Sequence, residues 1–366
     1  MIKRLTFRFS LMLLLSGLGI MNSFAQEAFF AQYYASPMHL NPALVGVFDG
    51  QFRLNGNFRQ QWGNTFASAP LRTTQAAFEY KARVMKTDFF SIGVNALNDE
   101  TGSDARVKTT RSNVGISFQK QLNDSRYRGV TQYLSAGLQV GVGQHALNMG
   151  GLWFDRQYDS IAVAVNTSLS SGEVAPQSKM YLDYNLGLLF YTVWEENKSF
   201  YAGASLHHLT RPNISFYGNL KEQLRRRITF HTGGEIPLNE DLSVLPTGMI
   251  TLQGPSMWAS MGANIRYSNH NWTEAAIRAG AALRLANRYI SETDKEGKSV
   301  QKGTGILSDA VTLTGILELN RIMLGVSFDL HASTIKVPTN SRGAWEISII
   351  YTGAERRRIK TECPKF

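Results

Sequence analysis

One cysteine, Cys363, stands in a chain of 366 residues, so no intramolecular disulfide and no multi-cysteine metal cluster can form. Proline is scarce at 10, against 20 Phe, 14 Tyr and 6 Trp, which excludes a disordered or linker-type chain. Beyond the N-terminus no apolar run approaches the ~18–20 residues of a membrane-spanning helix. Catalytic signatures are missing too. The histidines, at 39, 145, 207, 208, 231, 270 and 331, form no H-E-x-x-H pair, and His207 and His208, adjacent on a strand, should point to opposite faces. There is neither a G-x-S-x-G elbow nor a phosphate loop, and Gly141 and Gly143 fall inside an alternating segment, where glycine relieves crowding. No enzyme activity, cofactor or metal site is expected. No basic-aromatic module points to nucleic acid as a partner.

What is present begins with an address. Lys3, Arg4 and Arg8 precede the apolar stretch Leu11–Met21, and Ser23-Phe24-Ala25 offers a small-x-small cleavage site before Gln26. This is the layout of a signal peptide over 1–25; an N-terminal anchor is the competing reading, disfavoured by the short apolar core. Removing Lys3, Arg4 and Arg8 takes the net charge from +10 to +7. The mature chain is expected to be exported.

Hydrophobic residues then alternate almost to the end. Ile322, Leu324, Val326, Phe328 and Leu330 share one parity, opposite Met323, Gly325, Ser327 and Asp329. Trp345, Ile347, Ile349 and Tyr351 oppose Glu346, Ser348 and Thr352 in the same way. Successive side chains of a strand point to opposite faces, so these are strands with one apolar and one polar side. Fourteen such segments are predicted: 51–62, 71–83, 88–98, 107–121, 131–145, 180–192, 199–208, 227–238, 243–253, 257–267, 274–286, 309–319, 321–330 and 344–353. Most exceed the usual globular strand and match the ~9–11 residues that cross a bilayer at a tilt. Aromatic residues such as Phe52, Trp62, Trp258, Tyr267, Trp345 and Tyr351 sit near segment ends, as in the girdles of a membrane barrel.

The connections agree. Alternate ones average about 15 residues against about 5 for the rest, the pattern of long external loops and short periplasmic turns. The predicted fold is an all-β, transmembrane, antiparallel outer-membrane β-barrel of about 14 strands over 51–353. It would follow an N-terminal periplasmic or lumenal segment at 26–50 and precede a periplasmic tail at 354–366. A secreted β-sandwich or propeller is the competing fold, but its strands would be shorter.

If the apolar face meets lipid, the polar face lines a lumen. Its cations would be Arg53, Arg59, Lys81, Arg227, Arg266, Arg278, Arg284 and Arg321, and its anions Glu79, Asp183, Glu235, Glu318, Asp329 and Glu346. So balanced a set fits paired networks that fill the interior better than the one-sign ring of a selective pore. His145, His207 and His231 would join that network. Two basic clusters, Arg225–Arg227 and Arg356–Arg358, border an external loop and the tail; each is either a partner contact or a solvated loop charge.

The mature start reads Gln26-Glu-Ala-Phe-Phe-Ala-Gln-Tyr-Tyr34, then Ser36-Pro37-Met38-His39-Leu40-Asn41-Pro42-Ala43 and Gly46. With Asn55–Trp62, Leu97–Gly102, Leu245-Pro246-Thr247 and the ending Cys363–Phe366, it resembles the PorP/SprF family of outer-membrane proteins of the type IX secretion system. Ala31 stands where that family commonly has Ser, and Thr247 where Pro-Ser is usual. The resemblance implies a 14-stranded barrel in the cell outer membrane that helps export or attach particular substrates, notably large gliding adhesins. It also implies the partners: a secreted substrate with a type IX C-terminal signal domain, a periplasmic peptidoglycan-anchoring or secretion-machinery protein, and outer-membrane lipid. A general solute channel is the alternative function.

Carried over residue by residue, the resemblance singles out Tyr33, Tyr34, Asn41, Pro42 and Ala43. They either dock a partner or form a plug packed into the chain's own barrel, with Asn41-Pro42 starting a turn. Cys363 and Phe366 close the tail; a lone thiol in an oxidising compartment could pair with a partner, and a terminal aromatic could serve barrel assembly.

Overall fold

The computed structural model describes residues 27–354 apart from short loop segments (63–69, 86, 103–105, 124–129, 150–151, 160–162, 174–176, 196, 217–221, 270–271, 273–274, 294–298 and 333–341), together with Cys363 and Pro364. The leader at 1–25, Arg356–Arg358 and Phe366 lie outside the described residues.

Alternation produces long strands. The first five are β1 (Phe52–Gln61), β2 (Leu71–Arg83), β3 (Phe89–Thr101), β4 (Arg106–Gln121) and β5 (Thr131–Asn148). A two-residue hairpin, β6 (Tyr158–Asp159) and β7 (Ala164–Val165), interrupts the longest loop. Then come β8 (Tyr181–Glu195), β9 (Lys198–His207), β10 (Arg227–Pro237), β11 (Leu242–Gln253) and β12 (Ser256–Tyr267). The last four are β13 (Ala275–Thr293), β14 (Ser299–Leu319), β15 (Ile322–His331) and β16 (Arg342–Thr352).

All but β6 and β7 form one closed antiparallel barrel of fourteen strands, sealed where β1 pairs with β16 from Arg53↔Thr352 to Gln61↔Ala344. Closure gives each wall strand a hydrogen-bonded neighbour on both sides through the body of the barrel, which a sheet in lipid requires. The chain is therefore a transmembrane barrel whose wall begins (β1) and ends (β16) at the short-turn end, and the longer loops lie at the external end.

Burial is inverted relative to a globular core. Along β2 the outward Ala76, Phe78 and Tyr80 are exposed, while Thr73, Gln75, Glu79 and Lys81 are buried. Leu324 is 40% exposed on the outer face, whereas Ser327 is 3% exposed on the inner one. The Leu324→Arg substitution is expected to cost roughly 2–4 kcal/mol in reversible unfolding from lipid, because an arginine replaces an apolar chain facing hydrocarbon. Equal tolerance of Leu324→Arg and Ser327→Thr would contradict this orientation.

Two segments differ from the sequence pattern. The predicted long loop after 286 is instead continuous ladder: β13 and β14 run on past the rest of the wall, pairing as far as Thr293↔Ser299. Arg321 does not line the lumen; it is exposed in the tight turn between β14 and β15, next to Asn320 at φ 49°. The turn consumes the residue that simple alternation would have sent inward.

Candidate functional site

The interior is occupied by the chain's own start. Residues 27–50 run from the external end to the turn end, where they enter β1. A 3-10 turn at Tyr33–Ala35, one α-turn at Pro37–Leu40 and a second 3-10 turn at Pro42–Leu44 fold this segment compactly. Tyr33, Leu40, Ala43, Leu44 and Val47 pack against Phe89, Tyr133, Leu189, Tyr191, Val193, Tyr201 and Met249 of the wall, with Tyr34 beside them. The lumen thus contains the hydrophobic core that the wall's outward face cannot provide.

Asn41 is the central fixture. Its extended backbone, favoured before proline, ends the α-turn, and its Oδ1 accepts from the Ala43 N–H at 2.9 Å to cap the next turn. Nδ2 lies within donating distance of Leu188 O (3.0 Å), Ala204 O (3.2 Å) and His231 Nε2 (3.0 Å). One side chain thereby fastens the plug to β8, β9 and β10. The wall makes room with glycine: a Cβ on Gly187 would lie 1.8 Å from Asn41 Oδ1, and one on Gly137 2.3 Å from the Pro42 carbonyl carbon. Ser135 donates to Ala43 O at 2.7 Å, Ser117 to Val45 O at 2.6 Å and Ser205 to Leu40 O at 2.8 Å, so carbonyls in the short turns are partnered.

Charged groups complete the seal in clusters. Glu79 takes a bidentate pair from Arg53 (Nε 2.9 Å, Nη2 2.8 Å) and the Gly46 N–H at 3.0 Å. Asp329 is shared by Arg59 (2.6 Å) and Arg284 (2.7 Å) and accepts from Thr312 Oγ1 at 2.6 Å. Glu346 accepts the plug N–H groups of Ala31 (2.7 Å) and Gln32 (3.0 Å). The Phe29 ring lies between the Arg59 and Arg284 guanidinium groups, 4.7 and 4.9 Å away. Glu318 binds both Arg266 and Arg278.

A fourth cluster sits at the external end. Glu27 binds Arg111, Arg227 (2.9 Å) and His208 Nε2 (2.9 Å), while His208 Nδ1 meets Asp183 at 2.7 Å. Both imidazole nitrogens face carboxylates, an arrangement that suits the doubly protonated ring. The adjacency rule fails here: β9 ends at His207, and His208, at φ 60°, turns back into the lumen. Burial alone would raise the Glu27 carboxyl, but Arg111, His208 and Arg227 together hold it well below its usual range. Burial would lower His208, but Glu27 and Asp183 win and raise it.

The signs set a window. Glu27 contributes stability that is lost as pH falls through its depressed value, and His208 contributes stability that is lost as pH rises through its raised one. Chymotryptic cleavage at Phe29 and Phe30 in the folded protein should therefore be low at mildly acidic pH and increase at alkaline pH. A flat profile across that range would contradict a charged His208 anchor.

Tyr33, Tyr34, Asn41, Pro42 and Ala43 thus all lie inside the barrel. Cys363 is also buried: its N–H donates to Asp49 Oδ1 at 3.0 Å and its Sγ lies 4.0 Å from Lys81 Nζ, at the turn end of the plug. The thiol that sequence alone leaves available to a partner is not exposed. Three lumenal charges escaped the sequence reading. Arg111 had parity as its signal, sharing a face with Asn113 and Ser117. Asp309 shares its parity with the outward Val311 and Leu313 and meets the lumenal Arg284 only because the β13–β14 register shifts there. Glu27 had no signal, being outside any strand. Among the described residues no group of three His, Cys, Asp or Glu side chains is placed to hold a metal ion.

A closed fourteen-stranded wall, apolar outside and plugged by its own N-terminal segment, defines an outer-membrane β-barrel. The chain matches, over residues 22–351, the family described as "Type IX secretion system membrane protein PorP/SprF", and it belongs to that family. It is a membrane protein of type IX secretion. Solved structures similar to it include the toluene transporter TbuX of Ralstonia pickettii (13% identity, TM-score 0.47, 88% of this chain and 94% of that one). The CymD monoaromatic hydrocarbon channel is another (12%, 0.44, 90% and 95%). CdiB from Escherichia coli is a third (9%, 0.44, 81%), and this chain spans 63% of its length. No curated protein matches the chain in sequence.

Proposed function

We propose that this barrel serves type IX secretion as a closed platform that retains or guides a secreted surface substrate, such as a gliding adhesin, and does not conduct solutes. The supporting observation is the plug: residues 27–48 are buried or half-buried inside the wall and tied to it by Asn41 and by the Glu27 ion pairs. A diffusive channel needs a continuous open path, and fixed ion pairs across the lumen oppose one. On this reading Tyr33, Tyr34, Asn41, Pro42 and Ala43 hold the plug and do not themselves meet a partner. A substrate's C-terminal signal domain would engage the external loops. A periplasmic peptidoglycan-anchoring or machinery protein would meet the turn end, near Cys363.

Deleting the gene should abolish surface display of at least one large secreted adhesin while leaving the barrel-independent proteome intact. Unchanged display of every such substrate would overturn the reading. In planar bilayers the purified protein should show no stable conductance without a partner. A steady open level would favour a solute channel instead.

A further inference from the structure

We infer that Arg111, Arg227 and His208 form a carboxylate-binding cradle which Glu27 fills from within, and that an acidic side chain beside aromatics on an incoming polypeptide takes its place. The inference deepens the proposed function, resting on its reading that the ligand is a polypeptide arriving at the external end.

The cradle is assembled from distant strands. Arg111 comes from β4, Arg227 from the start of β10 and His208 from just beyond β9. Asp183 of β8 fixes the imidazole through Nδ1 at 2.7 Å, leaving Nε2 aimed at the Glu27 carboxylate at 2.9 Å. Arg111 and His208 share Oε1, and Arg227 takes Oε2. Two oxygens are thus met by three cationic donors, a geometry suited to a planar carboxylate. Because these groups face the lumen, the phosphate of a lipid headgroup, confined to the outer rim, would not reach them.

Charge decides how Glu27 can leave. Without it, two guanidinium groups and an imidazolium would face Asp183 and the more distant Asp99, still one anion short. Buried cations are not left uncompensated, so withdrawal of Glu27 requires another anion to enter. Space leads to the same conclusion. The cavity bordering Glu27 has a volume of about 30 Å³ and is bounded by Phe29, Phe30, Met249 and Trp258. It holds a water and no larger group, so a ligand enters by exchange and not by addition. Its apolar walls favour an acid flanked by aromatic residues, as Glu27 itself is.

The anchor is also separable from the rest of the plug. Glu27 belongs to an irregular stretch that, beyond its ion pairs, is held by its N–H to Gln253 Oε1 at 3.4 Å, by Ala28 O at 3.1 Å from His39 Nε2 and by the Phe29 ring against Arg59 and Arg284. The Asn41 side chain, by contrast, bonds directly to three strands. The external end can therefore peel away while the Asn41 turn stays seated.

The test uses the full-length protein in nanodiscs, titrated calorimetrically with an acetylated, amidated peptide of the sequence of residues 27–30. A second peptide carries glutamine in place of the acid. Glu27→Gln should bind the acidic peptide at least about tenfold more tightly than the unaltered protein, whose tethered Glu27 competes at an effective concentration in the millimolar range. Glu27→Asp, which keeps the charge and shortens the reach, should fall between them. The glutamine peptide should bind Glu27→Gln at least about tenfold more weakly than the acidic one. Equal affinity for both peptides overturns the inference, as does absence of binding to Glu27→Gln, or the same affinity in Glu27→Asp and the unaltered protein. Since no secretion is involved, failure here is distinct from failure of the adhesin-display experiment.

Discussion

Replacing Gly187 by valine is expected to turn the sealed barrel into a leaky one. A Cβ at this position would lie 1.8 Å from Asn41 Oδ1 and 2.8 Å from the Ala43 nitrogen, so the Asn41 turn cannot keep its place. Moving that side chain forfeits the cap on Ala43 and the contacts to Leu188, Ala204 and His231. At about 0.5–1.5 kcal/mol net for each hydrogen bond, the loss is several kcal/mol, enough to change which state of the plug predominates. The wall itself should tolerate the change, since β-branched residues suit strands. Gly315→Val is the matched control, because a Cβ there meets nothing within 4 Å. In planar bilayers Gly187→Val should give open levels absent from both Gly315→Val and the unaltered protein. Two equally closed variants would show that the Asn41 turn does not hold the plug.

The largest stability loss is expected for Asp329→Ala. This carboxylate is shared by Arg59 at 2.6 Å and Arg284 at 2.7 Å, and Thr312 donates to it at 2.6 Å. Its removal takes from each of two buried guanidinium groups its shortest ion pair, leaving Arg59 with Glu346 at 3.3 Å and Arg284 with Asp309 at 2.9 Å. Breaking a buried pair by deleting one partner typically costs about 3–5 kcal/mol, and because each arginine keeps a second carboxylate the loss here should fall at the lower end, about 3 kcal/mol. Because both cations also flank Phe29, the loss should propagate into the plug. The change should appear as a lower midpoint for the heat-induced shift from folded to unfolded mobility on gels. The exposed Glu240→Ala should stay within about 0.5 kcal/mol of the unaltered protein. Similar midpoints for both variants would show that the Asp329 cluster contributes little.

The wall was legible because lipid imposes a rule on every second residue. Where one face must be apolar, as in Ile322–Leu330, alternation fixes strand, register and orientation together. Where that demand stops, legibility stops. Past Ala286 the β13–β14 ladder continues, but no face there has to meet hydrocarbon, so the alternation fades while the pairing does not. The plug was harder to read for a related reason. Its turns are too short to show a helical period, and its position depends on wall glycines such as Gly187, whose significance appears only beside Asn41. Lumenal charges were mostly recoverable from parity. Arg321 and His208 were misplaced because a turn or a single left-handed residue breaks parity without changing composition.

The extended hairpin has a further consequence. β12 stops pairing with β13 at Ala286, and β15 stops pairing with β14 at Ala310. Among the described residues, Asn287–Thr293 and Ser299–Ser308 therefore have no ladder partners except each other. At ~3.3 Å per residue they rise roughly 20 Å above the rest of the wall. Inside the membrane the sheet has no ends, because it closes on itself. Above the membrane it regains two edges, each a row of backbone donors and acceptors that another extended segment can join by strand addition.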